Sequence, residues 1–284
     1  MTPLRLDAPA KLNLSLAITG QRPDGFHELI SDMILLELSD RLLLMPGSTG
    51  LRIEGTGAAD LPAADDNLAW RGLAAGLEHP AELECLTLEK RIPVAAGLGG
   101  GSSDAAAAWR LARRWRGAGE EATAEDLLAL SRLGADVPFF AAGVVAGIVS
   151  GIGEVVRRSE PPKERDVVLV HPPFGLSTAR VFAELRRGEW SGTPQGGRND
   201  LLPAAHRLRP ELDDVVRLVA GAGGDPRLSG SGPTIYSLTD DPERATAVAA
   251  RLERAGLRAS LTRVREEPAS IEAIEPIDDD PQQE

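Results

Sequence analysis

The chain has 284 residues, 42% of them hydrophobic and 26% charged, with a formal net charge of −12. This is the composition of a globular enzyme with room for two modest domains, and the acidic balance argues against a protein that coats nucleic acid. One cysteine excludes an internal disulfide. Because no run reaches the ~18 apolar residues of a membrane span and no signal peptide is evident, we expect a soluble cytoplasmic protein.

The first half of the chain is predicted to begin with strands. Five segments alternate as paired strands do: 4–18, the two runs on either side of a turn at Ser39-Asp40, 51–57 and 83–93. A Pro-Asp-Gly turn follows the first of them. Helices are predicted over 68–79, after a glycine-rich loop from near Ser102 or Ser103, and over 124–133.

The second half is predicted to alternate between strands and helices. The predicted strands are 166–173, two segments flanking a Gly-Ser-Gly turn within 225–240, and 257–264; the predicted helices are 178–187, 204–220 and 241–256. We therefore predict an α+β protein with a first domain over 1–155 and a second over 156–265. The acidic, proline-containing tail over 266–284 is expected to be disordered.

The strongest single feature is the glycine loop Gly97–Ala107, which holds four glycines within five residues and leads into an alanine-rich helix. Glycines let backbone N–H groups turn toward an anion, and a helix N-terminus favours phosphate there. The loop has neither the Gly-Lys-Ser/Thr of a P-loop nor the pattern of a Rossmann unit. Spacing alone leaves two interpretations open, a phosphate site and a plain helix start after a flexible loop.

PVAAGLGGGSSDAAA, Pro93–Ala107, resembles the glycine loop of the GHMP kinases, in the form of the branch that phosphorylates 4-diphosphocytidyl-2-C-methyl-D-erythritol in the non-mevalonate isoprenoid pathway. Further segments resemble that branch in the same order along the chain: Ala8–Leu29, Leu133–Gly143, Gly151–Glu154, Arg198–Leu201 and Leu228–Leu238. The resemblance implies an N-terminal mixed sheet with helices and a C-terminal ferredoxin-like sandwich. It also implies ATP and Mg²⁺ as cofactors.

The resemblance assigns Asp136 as the general base and Lys11 as the cation that orients it and helps to stabilise charge. In isolation Asp136 would be interpreted as a helix N-cap or turn residue, and Lys11 as a lysine on the solvent face of a strand. The ATP-binding residues implied are Pro93, Gly97, Leu98, Gly99, Gly100, Gly101, Ser102, Ser103 and Asp104. Asp104 would face the phosphates or cap the helix, and Ser102 or Ser103 would be the Mg²⁺ ligand within the loop.

At the substrate end the resemblance implies that Phe26 stacks on the cytosine ring and His27 hydrogen-bonds to its edge. Phe182 would be the second stacking residue, with Thr178 near the base and Asn13 near the methylerythritol hydroxyls. For Phe182 a core position on a helix is an equally good interpretation, and for His27 the alternative is a structural histidine.

Other functions compete with this interpretation. Another GHMP kinase, acting on mevalonate, homoserine or a sugar, is the nearest alternative, and the segments RPDGFHEL and GLGGGSS argue against it. A nucleotide-binding regulator without catalysis would not need both Lys11 and Asp136, and an interaction scaffold would not need so many loop glycines. The sequence predicts no nucleic-acid or membrane partner and leaves monomer and homodimer open.

Overall fold

The computed structural model describes residues 2–46, 50–62, 64–77 and 85–274. In chain order its strands and helices are β1 (Leu4–Gln21), β2 (His27–Met45), β3 (Gly50–Gly55), α1 (Leu68–Gly76), β4 (Cys85–Lys90), α2 (Gly100–Trp115), α3 (Ala124–Leu130), α4 (Val137–Ala141), β5 (Ala146–Gly151), β6 (Val155–Arg158), β7 (Asp166–His171), α5 (Thr178–Ala183), α6 (Leu202–Leu208), α7 (Leu212–Gly221), β8 (Arg227–Leu228), β9 (Ile235–Thr239), α8 (Pro242–Arg254), β10 (Arg258–Arg263) and β11 (Glu272–Ala273). No helix in these ranges is long and apolar enough to cross a membrane.

The first sheet is organised by β2, which pairs antiparallel with β1 along nearly its whole length. The C-terminal part of β2 also pairs with β4, and its N-terminal part pairs with β5. The sheet order is β11-β1-β2-β4-β3, with β5 and β6 branching from β2. Helices α1 and α2 contribute buried alanines and leucines to a core with this sheet, so the glycine loop that precedes α2 lies beside β1.

The second sheet has the antiparallel order β10-β7-β9-β8, and α5 to α8 supply side chains to its core. The two sheets share a further core in which Ala10 and Leu12 of β1 pack with Val167, Leu169 and Tyr236. The Tyr236 hydroxyl donates to the Asn13 carbonyl oxygen at 2.7 Å, which ties the second domain to β1. The α+β class, the two-domain architecture and the C-terminal sandwich are therefore confirmed.

Several local predictions differ from the structure. The turn predicted at Ser39-Asp40 is wrong because β2 runs through it, with Asp40 fully buried. The helix predicted over 204–220 is divided into α6 and α7, since Pro210 cannot donate the backbone hydrogen bond that a continuous helix needs. Strand β6, at the predicted domain boundary, pairs with β5 of the first sheet.

The expected disorder of the acidic tail is wrong for residues 266–274. Strand β11 pairs with Leu4 and Arg5 at the edge of β1, and Ala269 is buried in the core beneath it. The edge strand offers unpaired backbone groups, and the chain satisfies them by adding its own C-terminal residues. Residues 275–284 lie outside the described residues.

Candidate active site

A cleft of about 500 Å³ opens between β1, the glycine loop, the start of α4 and the Gly-Ser-Gly loop of the second domain. Most of the predicted site residues line it: Lys11, Asn13, Pro93, Gly97, Leu98, Gly99, Gly100, Gly101, Ser102, Asp136, Thr178 and Phe182. The structure thus brings together residues from both domains that lie up to 171 positions apart in sequence (Lys11 and Phe182).

The glycine loop needs glycine at two of its turns. Gly97 and Gly99 have φ values of 77° and 73°, and a Cβ on Gly97 would lie 2.5 Å from the Ser229 carbonyl oxygen. Helix α2 begins at Gly100, earlier than Ser102 or Ser103, and no side chain caps its N-terminus. Its first-turn N–H groups are therefore available to an anion in the cleft, as a phosphate site requires.

Two predicted ATP-binding residues do not line the cleft. Ser103 is buried, and its backbone N–H donates to the Gly99 carbonyl oxygen at 2.9 Å within the first turn of α2. Asp104 is also buried and accepts a hydrogen bond from Lys90 Nζ at 2.7 Å. The expectation that Asp104 faces the phosphates or caps the helix is therefore wrong, because Lys90 draws it beneath the loop.

Lys90 lies between two buried carboxylates. Its Nζ contacts Asp40 as well as Asp104, and Asp40 also accepts from the backbone N–H groups of Arg91 and Ile92. Burial raises the pKa of Asp104 to about 8 despite Lys90, and nearby Asp40 contributes to the rise. Burial alone would lower the pKa of Lys90, but the two carboxylates together raise it. One cation thus faces two carboxylates, and burial favours the protonated form of Asp104.

This cluster makes stability depend on pH. Because folding raises the pKa of Asp104, the folded chain holds a proton that the unfolded chain releases, and stability falls as pH rises from about 4 to about 8. Asp104→Asn removes that dependence while keeping an acceptor for Lys90. We expect the variant to melt at least ~4 °C above the unsubstituted protein at pH 9, with the difference shrinking toward pH 5. Melting curves at pH 5, 7 and 9 measure it, and a constant difference would contradict the assignment.

The two predicted catalytic residues, Lys11 and Asp136, form an ion pair with each other. Lys11 Nζ lies 3.7 Å from Asp136 Oδ2, and the side chains are 3% and 36% exposed. Asp136 precedes α4, but its side chain does not cap that helix. A Cβ on Gly153 would lie 2.0 Å from the Ala135 carbonyl oxygen. Gly153 thus permits the close approach that holds Ala135, and with it Asp136, at the cleft.

The Lys11 side chain is fixed by its neighbours on β1 and β2. Its Nζ donates to Asn13 Oδ1 at 2.6 Å, and Asn13 Nδ2 donates to Ser31 Oγ at 2.8 Å. Burial lowers the pKa of Lys11, and Asp136 opposes that effect. Asn13 is therefore committed to orienting Lys11 as well as lining the cleft. The arrangement places a positive charge and an ionisable carboxylate at the same wall of the cavity.

The Gly-Ser-Gly loop, Ser229 to Gly232, closes the cleft from the second domain. Asn199 Nδ2 donates to the carbonyl oxygens of Leu228 and Gly230 at 3.0 and 2.8 Å, which gives the Arg198–Leu201 segment its structural role. Thr178 Oγ1 lies 2.8 Å from Ser231 Oγ. Thr178, predicted to lie near the base, is therefore held by this loop at the cleft wall.

A second cavity of about 830 Å³ adjoins the first, and Phe182 lines both. The His27 ring lies 5.6 Å from the Phe182 ring and, edge-on, 5.6 Å from Trp190. Burial lowers the pKa of His27, so the imidazole is neutral at pH 7, with one donor and one acceptor nitrogen. Phe26 is 60% exposed and lines neither cavity.

Sequence reasoning missed three residues that line these cavities: Lys90, Arg187 and Trp190. The guanidinium of Arg187 lies 5.8 Å from the centre of the Trp190 ring. The scarcity of lysine could have identified Lys90, because Lys11, Lys90 and Lys163 are the only lysines in the chain. Nothing local distinguishes Trp190, whose contact with His27 depends on the fold.

No group of three or more metal-ligating side chains occurs among the described residues. Of the two serines predicted as Mg²⁺ ligands, only Ser102 lines the cleft. Its hydroxyl and the Asp136 carboxylate are oxygen donors of the kind that Mg²⁺ accepts, but they make an incomplete set. The cleft therefore fits a magnesium ion that phosphate oxygens and water also coordinate.

A helix N-terminus behind a glycine loop, in an interdomain cleft that also holds a lysine–aspartate pair, is the kind of site that a small-molecule kinase needs for phosphate. Family models for the GHMP kinases N terminal domain and the GHMP kinases C terminal region match residues 67–144 and 182–258. A homoserine kinase from Cytophaga hutchinsonii, 18% identical, shares the fold with a TM-score of 0.66 and covers 95% of this chain and 98% of its own.

Relatives with higher sequence identity indicate which kinase family within this class the chain resembles. A 4-diphosphocytidyl-2-C-methyl-D-erythritol kinase from Pelotomaculum thermopropionicum is 37% identical over 90% of this chain and 96% of its own. One from Dinoroseobacter shibae is 38% identical over 86% and 88%. A crystal structure of 4-(cytidine 5'-diphospho)-2C-methyl-D-erythritol kinase, 33% identical, superimposes with a TM-score of 0.75 over 92% of this chain and 99% of its own. The chain belongs to the GHMP kinase superfamily and, within it, to the 4-diphosphocytidyl-2-C-methyl-D-erythritol kinase family.

Proposed function

We propose that this protein transfers the γ-phosphate of ATP to the 2-hydroxyl of 4-diphosphocytidyl-2-C-methyl-D-erythritol, a step of the non-mevalonate isoprenoid pathway. The observation that carries the proposal is that Phe182 lines both cavities. Such a substrate has a nucleoside at one end and the reacting alcohol at the other. One cavity offers an aromatic site for a base, and the other offers the phosphate loop and the Lys11–Asp136 pair.

In the base cavity, Phe182 and Trp190 provide aromatic surface. The His27 ring lies 5.6 Å from the ring of each. Cytosine presents an exocyclic N–H₂ donor beside ring acceptors, and a neutral imidazole can meet one of each. Stacking tolerates any base, so His27 is the residue proposed to select cytosine. Phe26, next to His27 in sequence and 60% exposed, keeps its proposed role of stacking on the cytosine ring.

At the reacting end, Asp136 is the proposed general base. It would accept the proton of the substrate hydroxyl as that oxygen attacks the γ-phosphate, and Lys11 would orient the carboxylate and stabilise the charge that develops. The N–H groups at the start of α2 would hold the phosphates in line with the attacking oxygen. Asn13 would fix the lysine and present its polar edge to the methylerythritol portion.

Magnesium is proposed to enter with ATP, where it screens the charge of the phosphates. Ser102 is the loop hydroxyl proposed to help hold it, since Ser103 lies away from the cleft. The remaining coordination would come from phosphate oxygens and water, which suits an ion that dehydrates reluctantly.

The decisive experiment measures ADP release by the purified protein with ATP and Mg²⁺, using 4-diphosphocytidyl-2-C-methyl-D-erythritol, mevalonate and homoserine in parallel. We expect turnover with the cytidine substrate alone. Turnover with another alcohol would overturn the assigned substrate while keeping the phosphoryl transfer, and no turnover with any of them would overturn both.

The role of His27 can be separated from the chemistry. His27→Phe keeps a ring against Phe182 and Trp190 but removes both nitrogen partners. Losing one or two hydrogen bonds to the base should raise KM for the cytidine substrate by roughly 10- to 100-fold, with kcat within about threefold. Steady-state kinetics measure this, and KM for ATP serves as the internal control. An unchanged KM for the cytidine substrate would remove His27 from base recognition.

A further inference from the structure

A third cavity, of about 430 Å³, lies where residues 93–96 meet the second domain. Its other walls come from the segment after β7, the cis Gly232–Pro233 bond with Thr234, and the turn before β10. Residues 93–96 also line the kinase cleft. The volume is in the range of small-ligand sites, and neither the phosphate loop nor the aromatic base cavity accounts for it.

Two buried polar atoms in this wall have no hydrogen-bond partner. They are Thr234 Oγ1, on a side chain with no exposed surface, and His171 Nδ1. His171 Nε2 lies 2.9 Å from Ser260 Oγ, so Nδ1 is the ring nitrogen that lacks a hydrogen-bond partner. Burial, with a contribution from Arg258, lowers the pKa of His171 to about 4, which leaves the ring neutral at pH 7. Neither atom has appreciable exposed surface, so the charged group that a ligand in the cavity can reach is the exposed guanidinium of Arg258.

The charge around the cavity favours an anion. Arg258 lines it and is exposed, and among the described residues no carboxylate is paired with Arg258 or lines the cavity. This is notable in a chain with a net charge of −12. A guanidinium binds a carboxylate through two parallel hydrogen bonds. Pro172, Pro173, Phe174 and Leu257 supply apolar walls for the rest of a ligand.

The shared segment can couple the cavity to the kinase cleft. Ala95 has a φ of 55°, in the left-handed region that non-glycine residues avoid, and lines both cavities. The next carbonyl oxygen, of Ala96, accepts from the Thr234 N–H at 3.3 Å. A backbone held in a strained conformation depends on its surroundings, so a ligand touching Pro93 to Ala96 from one side alters the energy of the loop on the other.

We propose that this cavity binds a small carboxylic acid with an apolar body, its carboxylate on Arg258, and that its occupancy changes the affinity of the cleft for ATP through residues 93–96. The binding itself does not depend on the substrate proposed above. It can therefore be tested on the intact protein without turnover.

The probe is benzoate, with uncharged benzamide as its shape-matched control, measured by titration calorimetry and by ligand-observed NMR. We expect benzoate to bind with a Kd on the order of 1 mM and benzamide at least 10-fold more weakly. Arg258→Gln should weaken benzoate binding about 10-fold. Thr234→Val, which replaces a hydroxyl without exposed surface by a methyl of the same shape, should change benzoate binding less than twofold and leave the fold intact. Arg254→Gln, an exposed arginine on α8 bonded to its own helix, is the matched control.

Three results would overturn the site: no benzoate binding at 10-fold above the expected Kd, equal binding by the unsubstituted protein and Arg258→Gln, or displacement of benzoate by a non-hydrolysable ATP analogue in direct competition. The coupling is tested by titrating that analogue with and without saturating benzoate. A shift of its Kd by twofold or more supports the coupling, and an unchanged Kd overturns it. Because both ligands are followed by binding alone, failure of this proposal is distinguishable from failure of the proposed kinase substrate.

Discussion

Asp136→Asn is expected to lower kcat by roughly 10²- to 10⁴-fold, the range that a positioned general base contributes. The change keeps the shape of the side chain and removes its ability to accept a proton. Because Lys11 Nζ lies 3.7 Å away, the variant also leaves that buried ammonium without its carboxylate. KM for the alcohol should change little, since the loss is expressed in the transition state. Initial-rate kinetics with the cytidine substrate measure both constants.

The structure predicts that this loss is not a folding defect. The Asp136 side chain is 36% exposed, does not cap α4 and has Lys11 as its one ion-pair partner among the described residues. Because Lys11 loses the carboxylate beside it, the melting temperature should fall by up to about 5 °C, which leaves the variant folded under assay conditions. Asp126→Asn is the matched control, because Asp126 completes the capping box of α3 with Thr123, away from the cleft. Its kcat should stay within about twofold.

A kcat within 10-fold for Asp136→Asn would show that another group accepts the proton or that none is needed. In that case the cleft would act chiefly through phosphate positioning and the charge of Lys11. Equal losses of kcat in Asp136→Asn and Asp126→Asn would instead indicate a general effect of structure. Only a selective loss at residue 136 supports the proposed base.

The glycine loop and the motif segments could be predicted from sequence because their constraints are local. Positive φ at Gly97 and Gly99, and a helix beginning directly after them, follow from the glycines themselves. The convergence of Lys11 with Asp136 could not be derived locally. It depends on β1 passing beside both the loop and the start of α4, and only the resemblance to a family supplied it in advance.

Predictions failed where a partner distant in sequence determines the local structure or the orientation of a residue. Ser39-Asp40 has turn chemistry, but the ion pair with Lys90, fifty positions later, allows the Asp40 carboxylate to be buried within a strand. The same lysine draws Asp104 away from the phosphate side of α2. Residues 266–274 have a composition typical of a mobile tail, and the free edge of β1 orders them. In each case the deciding interaction joins segments that no local window contains.

Gly230→Ala is expected to lower kcat at least ~100-fold, even though residue 230 carries no chemistry of its own. A Cβ there would lie 2.9 Å from Lys11 Nζ and 3.3 Å from Asn13 Oδ1. Lys11 is 3% exposed and bonded to Asn13, so it cannot move aside without leaving its position opposite Asp136. The φ of 55° at Gly230 adds strain of roughly 1–2 kcal/mol for any L-residue.

The comparison variant is Gly196→Ala, in a loop of the same domain where an added Cβ meets nothing within 4 Å and φ is not in the left-handed region. It should leave kcat and melting temperature nearly unchanged. Gly230→Ala should lose a few degrees of melting temperature but far more activity, because the displaced ammonium affects the transition state more than the fold. If Gly230→Ala loses stability and keeps its kcat, the loop serves only to join the domains. If it loses kcat while folded, the second domain contributes to catalysis by setting the position of Lys11.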